Sequence, residues 1–99
     1  MYAIAFDLDI NNLKIAYGDS YNNAYGEIRN CLEGHGFTNQ QGSVYFGDPK
    51  RINAVTCVLA AVDLTRRLPW FAASVRDIRM LRIEELNDLM PAVNRAGNP

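Results

Sequence analysis

The chain has 99 residues, of which 48% are hydrophobic and 21% are charged, and ten basic against eleven acidic side chains give a net charge of −1. These values are typical of one globular domain, and they exclude a disordered chain and a strongly basic nucleic-acid-binding protein. The most apolar uncharged stretch, 52–62, is too short to span a bilayer, and the N-terminus lacks the basic region of a signal peptide. We therefore expect a cytoplasmic protein with no membrane segment.

The first predicted element is a strand over residues 2–9, in which large and small side chains alternate. One face carries the large residues and the other the small or acidic ones: Tyr2, Ile4, Phe6 and Leu8 against Ala3, Ala5, Asp7 and Asp9. Such a strand is typical of the centre of a sheet. Residues 10–18 contain two adjacent asparagines and end in a glycine, so we predict a loop there.

A helix and a strand pair are predicted next. Apolar residues recur at helical spacing from Tyr21 to Leu32, with Asp19 or Ser20 as the N-cap, and the glycines beside His35 end the helix. Two short strands over 37–38 and 43–46 then flank a turn at 39–42.

The second half of the chain adds one more predicted helix and one more strand. Asp48 as N-cap and Pro49 at the first helical position predict a helix that ends near 68–70. Residues 71–83 are predicted as one strand or two strand segments, and 84–90 as a short helix or a strand extension. The result is one domain over 1–90, followed by a loose tail over 91–99.

The order βαββαβ predicts an α+β, ferredoxin-like fold, with a four- to five-stranded antiparallel sheet and both helices on one face. The predicted helix-facing residues are Ile4, Phe6, Leu8, Val44, Phe46 and Ile78. The predicted open face carries Ala3, Ala5, Asp7, Ser43, Tyr45 and Asp77. A domain of this size often covers such an open face by dimerising.

Asp7 is the first candidate for chemistry, because it lies at the carboxyl end of a central strand. A carboxylate there suits a divalent metal site, shared with Asp9, or general base catalysis, but it also suits an ordinary turn. Ser43 follows a glycine and is placed to contact a phosphate, unless it simply forms a turn. Lys14 reaches a phosphate from the predicted loop, or is merely solvated.

Arginines dominate the basic residues, eight against two lysines, and five of them lie in 66–82 with Asp77 as the only acid. Arg76 and Arg82 fall on one strand parity, whereas Asp77 and Arg79 fall on the other. Arginine suits bidentate contact with phosphate. Ion pairs within the chain or across a dimer explain the same pattern, so both interpretations stay open.

Several chemistries have no support in the sequence. His35 is the only histidine, so a two-histidine ribonuclease mechanism within one chain is excluded. We expect no zinc site, because one histidine and two separated cysteines lack the usual ligand spacing. Cys31 and Cys57 lie on the apolar helix stripes and are predicted to be packing residues. Glycine-rich nucleotide-binding motifs are absent.

The chain resembles the virulence-associated protein D family over residues 1 to about 89. The resemblance is carried by MYAIAFDL (1–8), NAYGEI (23–28), GF (36–37), QGSVY (41–45), LPWF (68–71), SVRDIR (74–79) and RIE (82–84). It implies a ferredoxin-like homodimer related in fold to the small CRISPR-associated endoribonuclease subunits. It also implies endoribonuclease activity on RNA and a toxin-like role in a toxin–antitoxin pair.

Carried over by motif, the resemblance assigns function to Asp7, Ser43 and Asp77, and only loosely to Lys14. Our first hypothesis is an endoribonuclease whose Asp7 activates the attacking oxygen or holds Mg²⁺, while arginines contact RNA; these are Arg76, Arg79 and Arg82. The alternative is a non-catalytic binding or regulatory dimer that engages a protein partner, such as an antitoxin, through the arginine-rich strand.

Overall fold

The computed structural model describes residues 1–98, which form a four-stranded antiparallel sheet and five helices. The strands are β1 (Tyr2–Leu8), β2 (Phe37–Gln41), β3 (Val44–Gly47) and β4 (Val75–Arg82), in the spatial order β2-β3-β1-β4. The helices are α1 (Ile10–Tyr17), α2 (Ala24–Gly34), α3 (Ala54–Arg67), α4 (Phe71–Ser74) and α5 (Met90–Gly97), and a single 3₁₀ turn (Tyr21–Asn23) precedes α2. This order confirms the predicted ferredoxin-like α+β fold.

One face of the sheet is buried beneath α2 and α3. From the central strand β1, Ile4, Phe6 and Leu8 enter the core, and the ring of Phe6 stacks on Tyr45 at a centroid distance of 6.0 Å. The helices supply side chains with no exposed area, among them Ile28, Leu32 and Leu64. Each such burial contributes about 1.5–3 kcal/mol. The apolar side chains of β1, α2 and α3 therefore fix one face of the sheet against the helices, and this packing also sets the position of the opposite face.

The predicted loop over 10–18 is wrong, because residues 10–17 form α1. Asp9 is its N-cap and accepts a hydrogen bond from the Asn12 amide at 2.9 Å. Leu13 is fully buried and anchors the helix to the core. The asparagines lie on its exposed side, where their low helix propensity costs little compared with the burial of Leu13. The helix ends at Gly18, whose φ of 106° favours glycine.

The predicted start of α3 at Asp48 is also wrong. Asn53 is the N-cap, and it exchanges hydrogen bonds with Thr56 in a capping box, with nitrogen–oxygen distances of 2.7 and 3.0 Å. Asp48 instead accepts the Lys50 amide at 2.9 Å and so closes a turn over 48–51. The aspartate–proline pair therefore opens a turn and not a helix.

The side chains of β3 point to the opposite faces of the sheet from those predicted. Tyr45 pairs with Ile4 and is only 3% exposed, so it faces the helices and not the open side. Val44 and Phe46 pair with Ala5 and Ala3, which places them on the open face. Both faces of this short strand carry apolar residues, so alternation alone did not fix its orientation.

The C-terminal region contains a helix in place of the predicted irregular tail. Residues 84–89 form neither helix nor strand, and α5 follows with no buried residue. Residues 71–74, predicted as strand, form the one-turn helix α4. Pro99, the last residue of the predicted tail, lies outside the described residues. Within residues 1–98, no helix has the length and apolar character required to cross a membrane.

Candidate functional site

Three predicted site residues lie at one end of the sheet, where β1 ends and its antiparallel neighbours begin. Asp77, near the start of β4, pairs directly with Asp7. On the other side of β1, the Ser43 carbonyl accepts a hydrogen bond from the Phe6 amide at 3.1 Å. The antiparallel topology thus brings Asp7, Ser43 and Asp77 together, although 70 residues separate the first from the last.

A β-bulge adds Arg76 to this end of the sheet. The register shifts after Asp7, so that Leu8 pairs with Val75 and Arg76 is the extra residue on β4. Its guanidinium Nε and Nη2 lie 3.0 and 2.7 Å from one carboxylate oxygen of Asp7. Bulges commonly re-aim a side chain in this way beside functional sites. Strand alternation had placed Arg76 on the opposite face from Asp77, and the extra residue explains why that prediction was wrong.

The two opposed carboxylates are each held by an arginine. Arg79 Nε lies 3.2 and 3.1 Å from the two carboxylate oxygens of Asp77. Like charges opposite each other across two strands repel, and the arginines offset this repulsion. The hydrogen bond and charge of Asp7 raise the pKa of Arg76 above its ordinary value. All four side chains are more than half exposed, so a ligand reaches them from solvent.

Other predicted site residues lie apart from this cluster. Asp9 follows Asp7 closely in sequence, but its carboxylate caps α1. Lys14 lies on α1, and its Nζ sits over the Tyr21 ring at 5.3 Å from the centroid. Arg82 lies near the other end of β4 and pairs with Glu84 at 2.8 Å. Ser43 belongs to the turn before β3 and is partly exposed, so strand alternation does not define its facing.

A second cluster of reactive side chains, which sequence reasoning missed, lies between α2 and α3. His35 Nε2 is 2.6 Å from Asp63 Oδ2, and Cys31 Sγ is 3.8 Å from the same oxygen. The hydrogen bond from His35, together with Arg67, lowers the pKa of Asp63. Burial, followed by the charge of Asp63, raises the pKa of Cys31. The four-residue spacing of Cys31 and His35, at the C-terminal end of one predicted helix, was the available sequence signal.

Comparison with known proteins agrees with the fold and the motifs. The family described as CRISPR associated protein Cas2 matches residues 1–89. Endoribonuclease VapD 2 of Riemerella anatipestifer is 52% identical over 95 residues, which cover 95% of this chain and 100% of that protein.

Two further relatives match over a similar length. The Endoribonuclease VapD homolog of Helicobacter pylori is 54% identical over 93 residues, covering 94% of this chain and 96% of that protein. Endoribonuclease VapD of Dichelobacter nodosus is 44% identical over 96 residues, covering 97% of this chain and 100% of that protein. The chain therefore belongs to the Cas2 family and, within it, to the VapD proteins whose resemblance the sequence motifs had indicated.

Proposed function

We propose that the chain is an endoribonuclease whose reaction centre is the end of β1. The observation that carries this proposal is the exposed pair of opposed carboxylates, Asp7 and Asp77, each with its own arginine. A phosphodiester substrate needs a base near the attacking oxygen and cations near the phosphate, and this cluster supplies both. The names of the VapD relatives support the same activity.

Each residue has a distinct role in this proposal. Asp7 accepts the proton of the attacking oxygen, which is either the RNA 2′-hydroxyl or a water molecule. Arg76 and Arg79 exchange a carboxylate for the substrate phosphate, to which a guanidinium donates in bidentate fashion. Asp77 orients Arg79, or takes a proton from bulk water and passes it to the leaving oxygen, and the Ser43 hydroxyl donates to the phosphate.

The donor set at this end of the sheet also fits Mg²⁺. Exposed carboxylate oxygens are the ligands that Mg²⁺ prefers, and Asp7 and Asp77 face each other across the strands. Asp9, the predicted second metal ligand, uses one carboxylate oxygen to cap α1, so only its other oxygen is free of that bond. When bound, the ion supplies positive charge to the phosphate.

We further propose that the active form is a homodimer that covers part of the open sheet face and sets two copies of Asp7 across a cleft. Half-buried Val44 and Phe46, together with Leu81 at 41% exposure, give that face an apolar area beside the charged cluster. Light scattering after gel filtration should give twice the chain mass. Leu81→Glu should shift the protein to monomer, and an unchanged mass would remove this part of the proposal.

A cleavage assay on labelled RNA tests the activity, with and without EDTA. Asp7→Asn should lose about 100-fold or more of the rate. Glu84→Gln is the matched control, because it also converts an exposed, arginine-paired carboxylate to an amide, but near the other end of β4. Equal cleavage by wild type and Asp7→Asn would indicate a contaminating nuclease and favour a non-catalytic binding dimer. Cleavage that persists in EDTA would remove the metal.

The biological setting we propose is a toxin-like component of a bacterial toxin–antitoxin pair that acts on RNA in the cytoplasm. A toxin of this kind stops growth through its cleavage activity and is held in check by a small antitoxin protein. Induced expression should arrest growth, and Asp7→Asn should not. Arrest by both proteins would separate the toxicity from catalysis.

A further inference from the structure

The cluster between α2 and α3 has the composition of a metal site that the proposed ribonuclease function does not use. Cys31 lies on α2 and His35, four residues later, is the C-cap of that helix, while Asp63 lies on α3. Their ligand atoms all lie within 4.8 Å of one another, the one such group of three within residues 1–98. Cys31 is buried, whereas His35 and Asp63 keep 29% and 27% of their side chains exposed. An ion therefore has a path from solvent to a partly buried donor set.

The ligand types select the ion. Thiolate, imidazole and carboxylate together are the donors of zinc sites, whereas Mg²⁺ and Ca²⁺ take oxygen ligands. A zinc ion with bonds of about 2.0–2.3 Å holds its ligands about 3.3–3.8 Å apart. The separation of 3.8 Å between Cys31 Sγ and Asp63 Oδ2 meets this requirement, and the His35–Asp63 pair must open by about 1 Å.

In this structure the positive charge beside Asp63 is supplied by Arg67. Its Nε lies 3.0 Å from the same Asp63 oxygen, and 64% of its side chain is exposed. The Arg67 side chain is mostly in solvent and gains little free energy from this contact, so a divalent ion that also binds Cys31 and His35 is able to displace it. Arg67 then turns to solvent at the C-terminal end of α3, where the helix dipole favours a cation.

Against the expectation from ligand spacing in the sequence, we propose that Cys31, His35 and Asp63 form a zinc site that links α2 to α3, with a water as the fourth ligand. Binding replaces the thiol proton of Cys31 with the metal and releases that proton to the buffer. The imidazole binds through Nε2, and its remaining proton resides on Nδ1. The site lies on the helix side of the protein, so it is separate from the proposed RNA-cleaving cluster.

Untagged, full-length protein stripped with EDTA and then freed of it provides the test. Co²⁺ should produce the near-ultraviolet charge-transfer band of a cobalt–thiolate bond, and Zn²⁺ should remove that band at one ion per chain. Competition with a chromophoric chelator then gives the zinc affinity. Cys31→Ser should abolish the band, while His35→Gln and Asp63→Asn should each weaken zinc binding about tenfold or more.

Two further variants separate a metal site from incidental packing. Cys57→Ser removes the other buried thiol and should leave the band and the affinity unchanged. Arg67→Gln removes the competing cation from an exposed position, and it should raise zinc affinity about threefold. A wild-type protein without the band, a band that survives Cys31→Ser, or an Arg67→Gln variant with weaker binding would each overturn the proposal. None of these readouts depends on RNA cleavage.

Discussion

Two arginine–aspartate pairs of similar geometry occupy different regions of the molecule. At the end of β1, Arg76 lies 2.7 Å from Asp7, and both side chains are more than half exposed. Between the helices, Arg67 lies 3.0 Å from Asp63, of which only 27% is exposed. Asp7 has one arginine partner from another strand, whereas Asp63 also accepts from His35.

Because their surroundings differ, the two aspartates exchange their arginine partners for a ligand with different ease. An exposed ion pair gains little free energy from its contact, so Asp7 and Arg76 separate at low cost when a phosphate arrives. Asp63 is fixed by donors from two helices and is shielded by them, so exchange there requires a partner that satisfies several groups at once. A substrate phosphate is therefore sufficient to separate Asp7 from Arg76, whereas a metal ion that binds several groups is needed to replace the partners of Asp63.

After the loss expected for Asp7→Asn, the largest effect on cleavage should come from replacing Arg76, with Arg67 as the comparison. Arg76→Gln should lower RNA cleavage about tenfold or more, because the phosphate loses a charge-assisted donor. Arg67→Gln removes an arginine of equal exposure from the other pair, and its cleavage rate should stay within about twofold of wild type. The measurement is kcat/KM on one labelled RNA. Equal losses in both variants would mean that the two pairs do not differ in function.

Asp9 sharpens the comparison as a carboxylate with a structural role beside the reaction centre. Asp9→Ala should cost about 1 kcal/mol of unfolding free energy, because the Asn12 amide loses its cap. Asp9→Asn retains a good cap without the charge, and it should keep both stability and cleavage. Urea unfolding and the RNA assay measure the two quantities. Loss of EDTA-sensitive cleavage in Asp9→Asn would instead make Asp9 a metal ligand.

The sequence predicted the sheet well because β1 and the long helices have apolar stripes that agree with their periods. Asp7 was found for the same reason, since the alternation along β1 shows which face its carboxylate occupies. The parts that were missed depend on contacts between distant segments. Leu13 turns a segment with a loop-like sequence into α1, and Tyr45 reverses the facing of β3 by packing on Phe6.

The sequence indicated some residues of the candidate site but not how they pair. Asp7 and Asp77 could be placed on one face from alternation, but the bulge that adds Arg76 arises from the register between β1 and β4. The helix cluster was missed because Asp63 lies 28 residues from His35 and meets it only when α2 packs on α3. Local spacing revealed two of its three members at most.

Arg79 sharpens the role of the exposed cluster in binding as distinct from chemistry. If Arg79 contacts one phosphate, Arg79→Gln should reduce the slope of log affinity against log salt by about 0.7 for single-stranded RNA. Arg29→Gln, an exposed arginine on α2, should leave the slope unchanged. Binding by the Asp7→Asn protein at several salt concentrations gives both slopes. A slope reduced equally by both variants would indicate a diffuse charge effect.

The smallest expected effect on stability concerns the carboxylate of Glu27. It accepts a hydrogen bond from a neutral donor, the Tyr17 hydroxyl. This hydrogen bond is the main cause of the raised pKa of Tyr17. The unfolded chain loses the tyrosine proton near its ordinary pKa of about 10, before the folded chain does. The stabilising contribution is therefore complete below about pH 10 and is lost as the pH rises through the higher folded pKa.

Tyr17→Phe keeps the ring that packs edge-on against Trp70 and removes only the hydroxyl, so it isolates this hydrogen bond. Urea unfolding between about pH 8 and pH 11 should show wild type more stable than the variant at the lower end. The difference should shrink above about pH 10. A constant difference across the range would mean that the hydroxyl acts through packing. The difference in unfolding free energy would then be independent of pH, whereas it must depend on pH if the hydroxyl proton joins Tyr17 to Glu27.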